Sequence, residues 1–138
     1  MASYNYMAKT LFVGDSGVGK TSMLHQLTQH RSLASPSPTV GLEFGMKHYS
    51  LPSQEGPAKQ LLLQLWDTAG SEQYNALTDS FFKGAHVVIM TYNIADRSSY
   101  ESIKNKWMPR TERHLDPKNV VTFLVGNKLD LQDQRQVQ

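Results

Sequence analysis

The sequence contains no cysteine. Disulfides, thiolate catalysis, cysteine-ligated zinc and, within these residues, S-linked lipid anchors are therefore excluded. Such a chain suits a reducing compartment such as the cytoplasm. No apolar stretch comes near the roughly 20 residues that span a bilayer. The opening Met1-Ala2-Ser3-Tyr4-Asn5 has neither the basic end nor the apolar run of a secretory signal. An excess of one charge is missing too. Lys+Arg 14 against Asp+Glu 12 leaves +2, and the two halves, 1–69 and 70–138, contribute +1 each. No Lys/Arg cluster supports a nucleic-acid partner. What is present is 138 residues, 39% hydrophobic and 19% charged. That is enough apolar material for the core of a single domain, here taken as 1–138, and too little bias for disorder.

Short unbroken apolar runs stand out: Leu11-Phe12-Val13, Val87-Val88-Ile89-Met90 and Val120-Val121-Thr122-Phe123-Leu124-Val125. Leu61-Leu62-Leu63-Gln64-Leu65-Trp66 has one polar break. Runs of this kind read as strands covered on both faces of a mainly parallel sheet. Residues 43–49 alternate more and read as an edge strand, antiparallel to 61–66 across a Pro/Gly/Ser-rich turn at 50–59. Between strands, residues 20–30 carry Met23, Leu24 and Leu27 on one helical face. Ser98-Ser99-Tyr100-Glu101 resembles a capping box that opens a helix to about residue 114, with Tyr100, Ile103 and Trp107 inward. Pro109 inside that pattern should bend it, at about 3 kcal/mol if truly interior. Lys104, Lys106, Arg110 and Arg113 read as one solvated face. His25, His30, His48, His86 and His114 show no metal-ligand spacing. The expected order is β-α-β-β-α-β-α-β, an α/β fold of three layers around an open, mainly parallel sheet.

Gly14-Asp15-Ser16-Gly17-Val18-Gly19-Lys20-Thr21 follows a strand, opens a helix and fits G-x-x-x-x-G-K-[ST] in full. Glycines let backbone N–H groups close on phosphate oxygens, and the helix N-terminus adds partial positive charge. Lys20 would reach β- and γ-phosphates, and the Thr21 hydroxyl would ligate Mg²⁺. Asp67, ending a strand in Leu65-Trp66-Asp67-Thr68-Ala69-Gly70, could hold the metal's hydration shell opposite Thr21. Gly70 would allow backbone to approach a γ-phosphate. Asn127-Lys128-Leu129-Asp130 follows another strand. There Asp130 could accept from guanine N1–H and N2–H₂, a donor pair that adenine lacks, while Lys128 covers the ring and Asn127 ties loops together. Each motif is weaker alone than the three in this order at strand ends. An ATP-using kinase would leave Asn127–Asp130 unexplained.

With these motifs the chain, from about Lys9 to Asp130, resembles the Ras-like small GTPases and specifically their Rab branch. The resemblance implies a P-loop NTPase fold that binds GTP or GDP with Mg²⁺ and hydrolyses GTP. Its nucleotide contacts would be Asp15, Ser16, Gly17, Val18, Gly19, Lys20, Thr21, Ser22, Thr39, Gly70, Asn127, Lys128 and Asp130. Metal ligation would fall to Thr21, Thr39 and Asp67, and catalysis to Lys20, Thr39, Gly70 and Ser71. Thr39-Val40-Gly41-Leu42-Glu43-Phe44 is similar to the Rab form of switch I, and residues 74–84, with Phe81-Phe82-Lys83-Gly84-Ala85, to switch II. Phe44, Trp66 and Phe81 fall where Rab proteins carry an aromatic triad read by effectors. Effectors, exchange factors and activating proteins would then meet the chain through Thr39–Phe44, Trp66 and Ser71–Phe82. The implied role is vesicle and membrane trafficking on the cytosolic face of an endomembrane.

The chain departs from the Rab pattern in four places. Ser71 stands where the water-orienting glutamine usually lies, which implies weak hydrolysis and leaves room for a binding module that barely turns over. Arg31-Ser32-Leu33-Ala34-Ser35-Pro36-Ser37-Pro38 lacks the purine-stacking aromatic. Residues 50–59 make a long connection. Eight residues follow Asp130, so the family's guanine-contacting S-A-K loop, last strand, last two helices and lipidated cysteine tail are not among these residues; the G domain is expected to be C-terminally incomplete. A membrane would be reached only through such a tail. A fold ending here would leave the face of the first and fifth strands uncovered.

Overall fold

The computed structural model describes residues 3–29, 42–70 and 74–138. Its first strand, β1 (Tyr6–Val13), begins well before the apolar run at 11–13. The extension forms because residues 6–9 pair with Leu61, Leu62, Leu63 and Gln64 of β3 (Lys59–Thr68) before β4 (Val87–Asn93) joins at Thr10. β2 (Leu42–Leu51) runs antiparallel to β3, from Leu42 opposite Thr68 to Leu51 opposite Lys59. β5 (Val121–Asn127) lies parallel to β4. The sheet order is β2-β3-β1-β4-β5, all parallel except β2.

Helices cover both faces. α1 (Lys20–Gln29) packs Leu24 against Phe12 and Leu65, with Met23, Leu27, Leu63 and Ile89 around them. Gly45 admits α1 this closely, since a Cβ there would lie 2.9 Å from the Thr28 methyl and 3.0 Å from Leu24 Cδ1. The opposite face holds Leu11, Val13, Val88 and Met90 against Phe82, Ile103 and Trp107. Phe82 directly follows α2 (Asn75–Phe81).

The long helix departs from its sequence reading in two ways. Its N-cap is Asp96, whose carboxylate accepts from the Ser98 N–H; Ser99 instead turns inward, donating to the Asp96 carbonyl and accepting from Asn93 N–H. An aspartate two residues earlier wins because its side chain satisfies a first-turn amide directly. The helix is also not uniform. α3 (Arg97–Ser102) passes into a π turn, Ile103–Trp107, and then α4 (Met108–His114). The Met108 N–H reaches back five residues to Ile103 O. Pro109 thereby falls in the first turn of α4, where no amide hydrogen is required, and the interior cost is avoided.

The apolar run 120–125 is a strand but is not covered on both faces. Val121, Phe123 and Leu124 are more than half exposed, because β5 is the outer strand of the described sheet. Tyr6 and Met7 of β1 are exposed as well. Residues 121–127 carry neither Lys, Glu nor Pro to blunt pairing with another chain. Phe123→Lys should therefore reduce self-association of the 138-residue chain, read by light scattering against concentration, while changing stability by less than about 1 kcal/mol, as exposed sites do.

Candidate functional site

Because β1, β3, β4 and β5 are mutually parallel, their C-terminal ends share one edge of the sheet. The loop 14–19 leaves β1 there, 67–70 closes β3 there, and 127–130 leaves β5 there. This is the edge at which open α/β sheets bind ligands. The close approach of these segments depends on glycine. A Cβ on Gly14 would collide with the Thr91 carbonyl of β4, and one on Gly70 would collide with the backbone of Gly14, Asp15 and Ser16.

Lys20, the first residue of α1, is buried. Its Nζ donates to Gly14 O at 2.7 Å and Asp15 O at 2.9 Å, curling back over the loop. Burial pushes its pKa down from 10.5 to about 8; the charges of Asp67 and Asp15 oppose the shift and Lys106 adds to it. The Thr21 hydroxyl donates to Asp67 Oδ2. Asn127 Nδ2 donates to Val18 O at 2.9 Å, joining the end of β5 to the loop. Val18 is buried, and Ser16 and Gly17 are exposed. Ser22 is half-buried on α1. Lys128 takes a left-handed conformation, φ 69°, and turns the chain into the short helix Leu129–Gln134, on which Asp130 is exposed. Thr39 and Ser71, and with them Arg31–Pro38 and most of the switch I reading, lie outside the described residues.

The Asp15 carboxylate accepts from Trp107 Nε1 at 3.0 Å, so this side chain is held by the π turn. Oxygen donors dominate the remaining polar groups. One carboxylate, Asp67, and one hydroxyl, Thr21, fit a hard cation that takes few protein ligands and completes its shell with water and phosphate oxygens, as Mg²⁺ does. Among the described residues no group of three or more His, Cys, Asp or Glu suggests another metal.

Phe44, Trp66 and Phe81 touch in sequence. Their ring centroids are 5.3 Å apart for Phe44–Trp66 and 5.4 Å for Trp66–Phe81. Phe44 is about half exposed, so the cluster reaches the surface.

Two features were missed in the sequence. Arg110, expected on a solvated face, is buried, stacked 4.9 Å over Trp107 and bonded to Asn75 and Asp79 of α2. Its spacing of three from Trp107 and seven from Ile103 places it on the inward face, a signal that its charge masked. His25 Nε2 lies 2.9 Å from Glu43 Oε2, bridging α1 to β2 on either side of residues 30–41; nothing local in the sequence points to this pair.

The Ras family model matches residues 9–138. Among curated proteins the chain is 36% identical over 135 residues to the GTP-binding protein ypt2 of Schizosaccharomyces pombe, covering 98% of this chain and 64% of that protein. It is 40% identical over 136 residues to the Ras-related protein Rab-11B of Dictyostelium discoideum, covering 97% and 58%. It is 36% identical over 135 residues to the Ras-related protein Rab-8A of Gallus gallus, covering 98% and 62%. The chain thus spans about three-fifths of the length of these relatives.

The buried Lys20 ammonium strains the fold at neutral pH. A lysine held at about 8 rather than 10.5 costs the folded state about 3 kcal/mol when charged. Lys20→Met should therefore raise the stability of the ligand-free protein by about 1–3 kcal/mol at pH 7 in urea unfolding. The gain should shrink between pH 8 and 10.5, since wild-type stability rises there as the folded state no longer carries the charge.

Proposed function

Since the chain belongs to the Ras family, as a Rab-type small GTPase, we propose that it is a guanine-nucleotide switch that binds GTP and GDP with Mg²⁺ and hydrolyses GTP slowly. The observation that carries this reading is the convergence of Lys20, the Thr21–Asp67 pair and Asn127 on one loop at the sheet edge. In the proposed complex the Lys20 ammonium exchanges its two carbonyl partners for β- and γ-phosphate oxygens, which relieves the cost of its burial. Thr21 and Asp67, with Thr39, would hold Mg²⁺, which when bound offsets the negative charge of the phosphates. The loop amides of 15–19 and the start of α1 cradle the phosphate groups. Asp130 selects guanine, Lys128 lies along the base, and Asn127 keeps the base loop against the phosphate loop.

A partner would dock on Phe44, Trp66 and Phe81, which already form a contiguous aromatic surface. Membership of the Rab branch is what supports the proposed role in membrane trafficking at the cytosolic face of an endomembrane. Among the described residues no helix is long and apolar enough to cross a membrane; attachment through a lipid-bearing segment belongs to the same proposal.

A second reading is favoured by one residue. Ser71 occupies the position at which a glutamine would orient the attacking water. On this reading the protein is a nucleotide-loaded interaction module that barely turns over.

Two experiments test these assignments. Asp130→Asn should weaken GTP binding by at least about tenfold, a loss of roughly 1.4 kcal/mol, and shift preference to xanthosine triphosphate. Titration calorimetry with both nucleotides reads this directly, and equal affinities in wild type and variant would remove Asp130 from the base site. Ser71→Gln should raise single-turnover hydrolysis by about one to two powers of ten, since a misplacement near 1 Å can cost on the order of 10²-fold. Phosphate release from preloaded protein reads this: an unchanged rate, with GTP occupancy confirmed, would show that position 71 does not limit turnover.

A further inference from the structure

The excursion that carries Asp130 has little of its own to hold it. It leaves β5 after Asn127 and runs through the short helix Leu129–Gln134, a 3₁₀ element of a kind that is marginal by itself. Leu129 and Asp130 are exposed, and among residues 127–138 only Val137 is buried. The place of the helix is therefore set at the two ends of the excursion.

Both ends close on one residue. Ile94, buried just past β4, donates its N–H to Asn127 O at 3.1 Å. Its carbonyl accepts from Gln136 N–H at 2.8 Å and from Val137 N–H at 3.1 Å. At the departing end the fit is tight, since a Cβ on Gly126 would stand 2.8 Å from the Tyr92 hydroxyl and 3.0 Å from Ile94 Cγ2. At the returning end the Gln136 side chain adds a second tie, its Oε1 accepting from Arg97 N–H at 2.9 Å. That amide opens α3 and has no partner within its own helix; the Asp96 carboxylate is taken up by Ser98. Between the ends, Lys128 O accepts from Leu131 N–H and Gln132 O from Arg135 N–H. A compact loop with its ends this close keeps its shape from the ends inward.

We propose that Gln136 and Val137 are positioning residues that shut the 127–137 loop on Ile94 and so hold Asp130 where a base is read. A carboxylate that must meet two donors on one base edge tolerates displacement of only about 0.5 Å. With Val137 out of its place, Asp130 is held from the Asn127 end alone, and only the fraction of molecules with a closed loop can read the base. Lys20 and the loop 14–19 keep their own contacts, including that of Asn127 with Val18 O. The base-reading part rests on the guanine-nucleotide reading above; the closure itself does not.

Calorimetry on the 138-residue chain compares GDP–Mg²⁺ with inorganic triphosphate–Mg²⁺, which carries charge for the loop 14–19 and no base. Val137→Asp should weaken GDP binding at least about tenfold and Gln136→Ala at least about threefold, with triphosphate within about twofold of wild type in both. Gln136→Glu should return GDP affinity to within about twofold of wild type, because a carboxylate accepts from the same amide and suits a helix N-terminus. A side chain that only fills space would not be rescued in this way. Unchanged GDP affinity in both Val137→Asp and Gln136→Ala overturns the proposal, as does a loss of triphosphate binding equal to that of GDP. Should Val137→Asp fail to fold, Gln136→Ala and Gln136→Glu decide. Should the wild type bind GDP no more tightly than triphosphate, the guanine reading fails and the closure is judged by hydrogen exchange of the ligand-free protein. There the Gln136 and Val137 amides of the wild type should exchange at least about threefold more slowly than the same positions in Gln136→Ala, with β1 amides unchanged; equal rates overturn the closure.

Discussion

Everything at the candidate site hangs from the parallel pairing of β1 between β3 and β4. That pairing sets the carboxyl ends of three strands side by side, so that a loop leaving β1 meets Asp67 without any long connection. It also brings backbone against backbone. Gly14 lies against the Thr91 carbonyl and Gly70 against the loop itself, and neither approach would survive a side chain. The requirement for glycine at these places is thus already a consequence of sheet geometry.

The same edge stores an electrostatic debt. Lys20 is buried beside two carbonyls, with only partial compensation from Asp67 and Asp15. A lysine chosen for stability would not sit there. Its position suits the proposed function, in which an anion would bring several negative oxygens to the same place. Beside it the Thr21 hydroxyl donates to the Asp67 carboxylate, which sets two oxygen groups next to each other at the ends of α1 and β3.

The helix from Arg97 to His114 links this edge to the aromatic surface. Trp107, in its π turn, bonds to Asp15, and Arg110, three residues on, bonds to α2, so one helical stretch joins the loop 14–19 to the element bearing Phe81. A charged residue at the centre of that link is costly to bury, and four hydrogen bonds plus an aromatic face are what make it tolerable.

The sequence by itself determined the element order, the antiparallel pairing of the strand at 43–49, and the three motifs at strand ends. These are local in origin: apolar run length, glycine placement and a full G-x-x-x-x-G-K-T depend on near neighbours alone. It did not determine where β1 begins, because residues 6–9 become a strand only when β3 lies beside them. Run length alone did not show that Val121, Phe123 and Leu124 are exposed, since an apolar run reads the same at the centre and at the edge of a sheet; only the comparison with the Rab pattern, which left the fifth strand uncovered, pointed there. Asp96 displaced Ser98 as the cap through a hydrogen bond that spacing alone does not rank. The fate of Arg110 was the furthest from sight. A charge on a helix is solvated unless acceptors from elsewhere in the chain surround it, and Asn75 and Asp79, more than thirty residues away, do so only after the tertiary structure has packed α2 beside it.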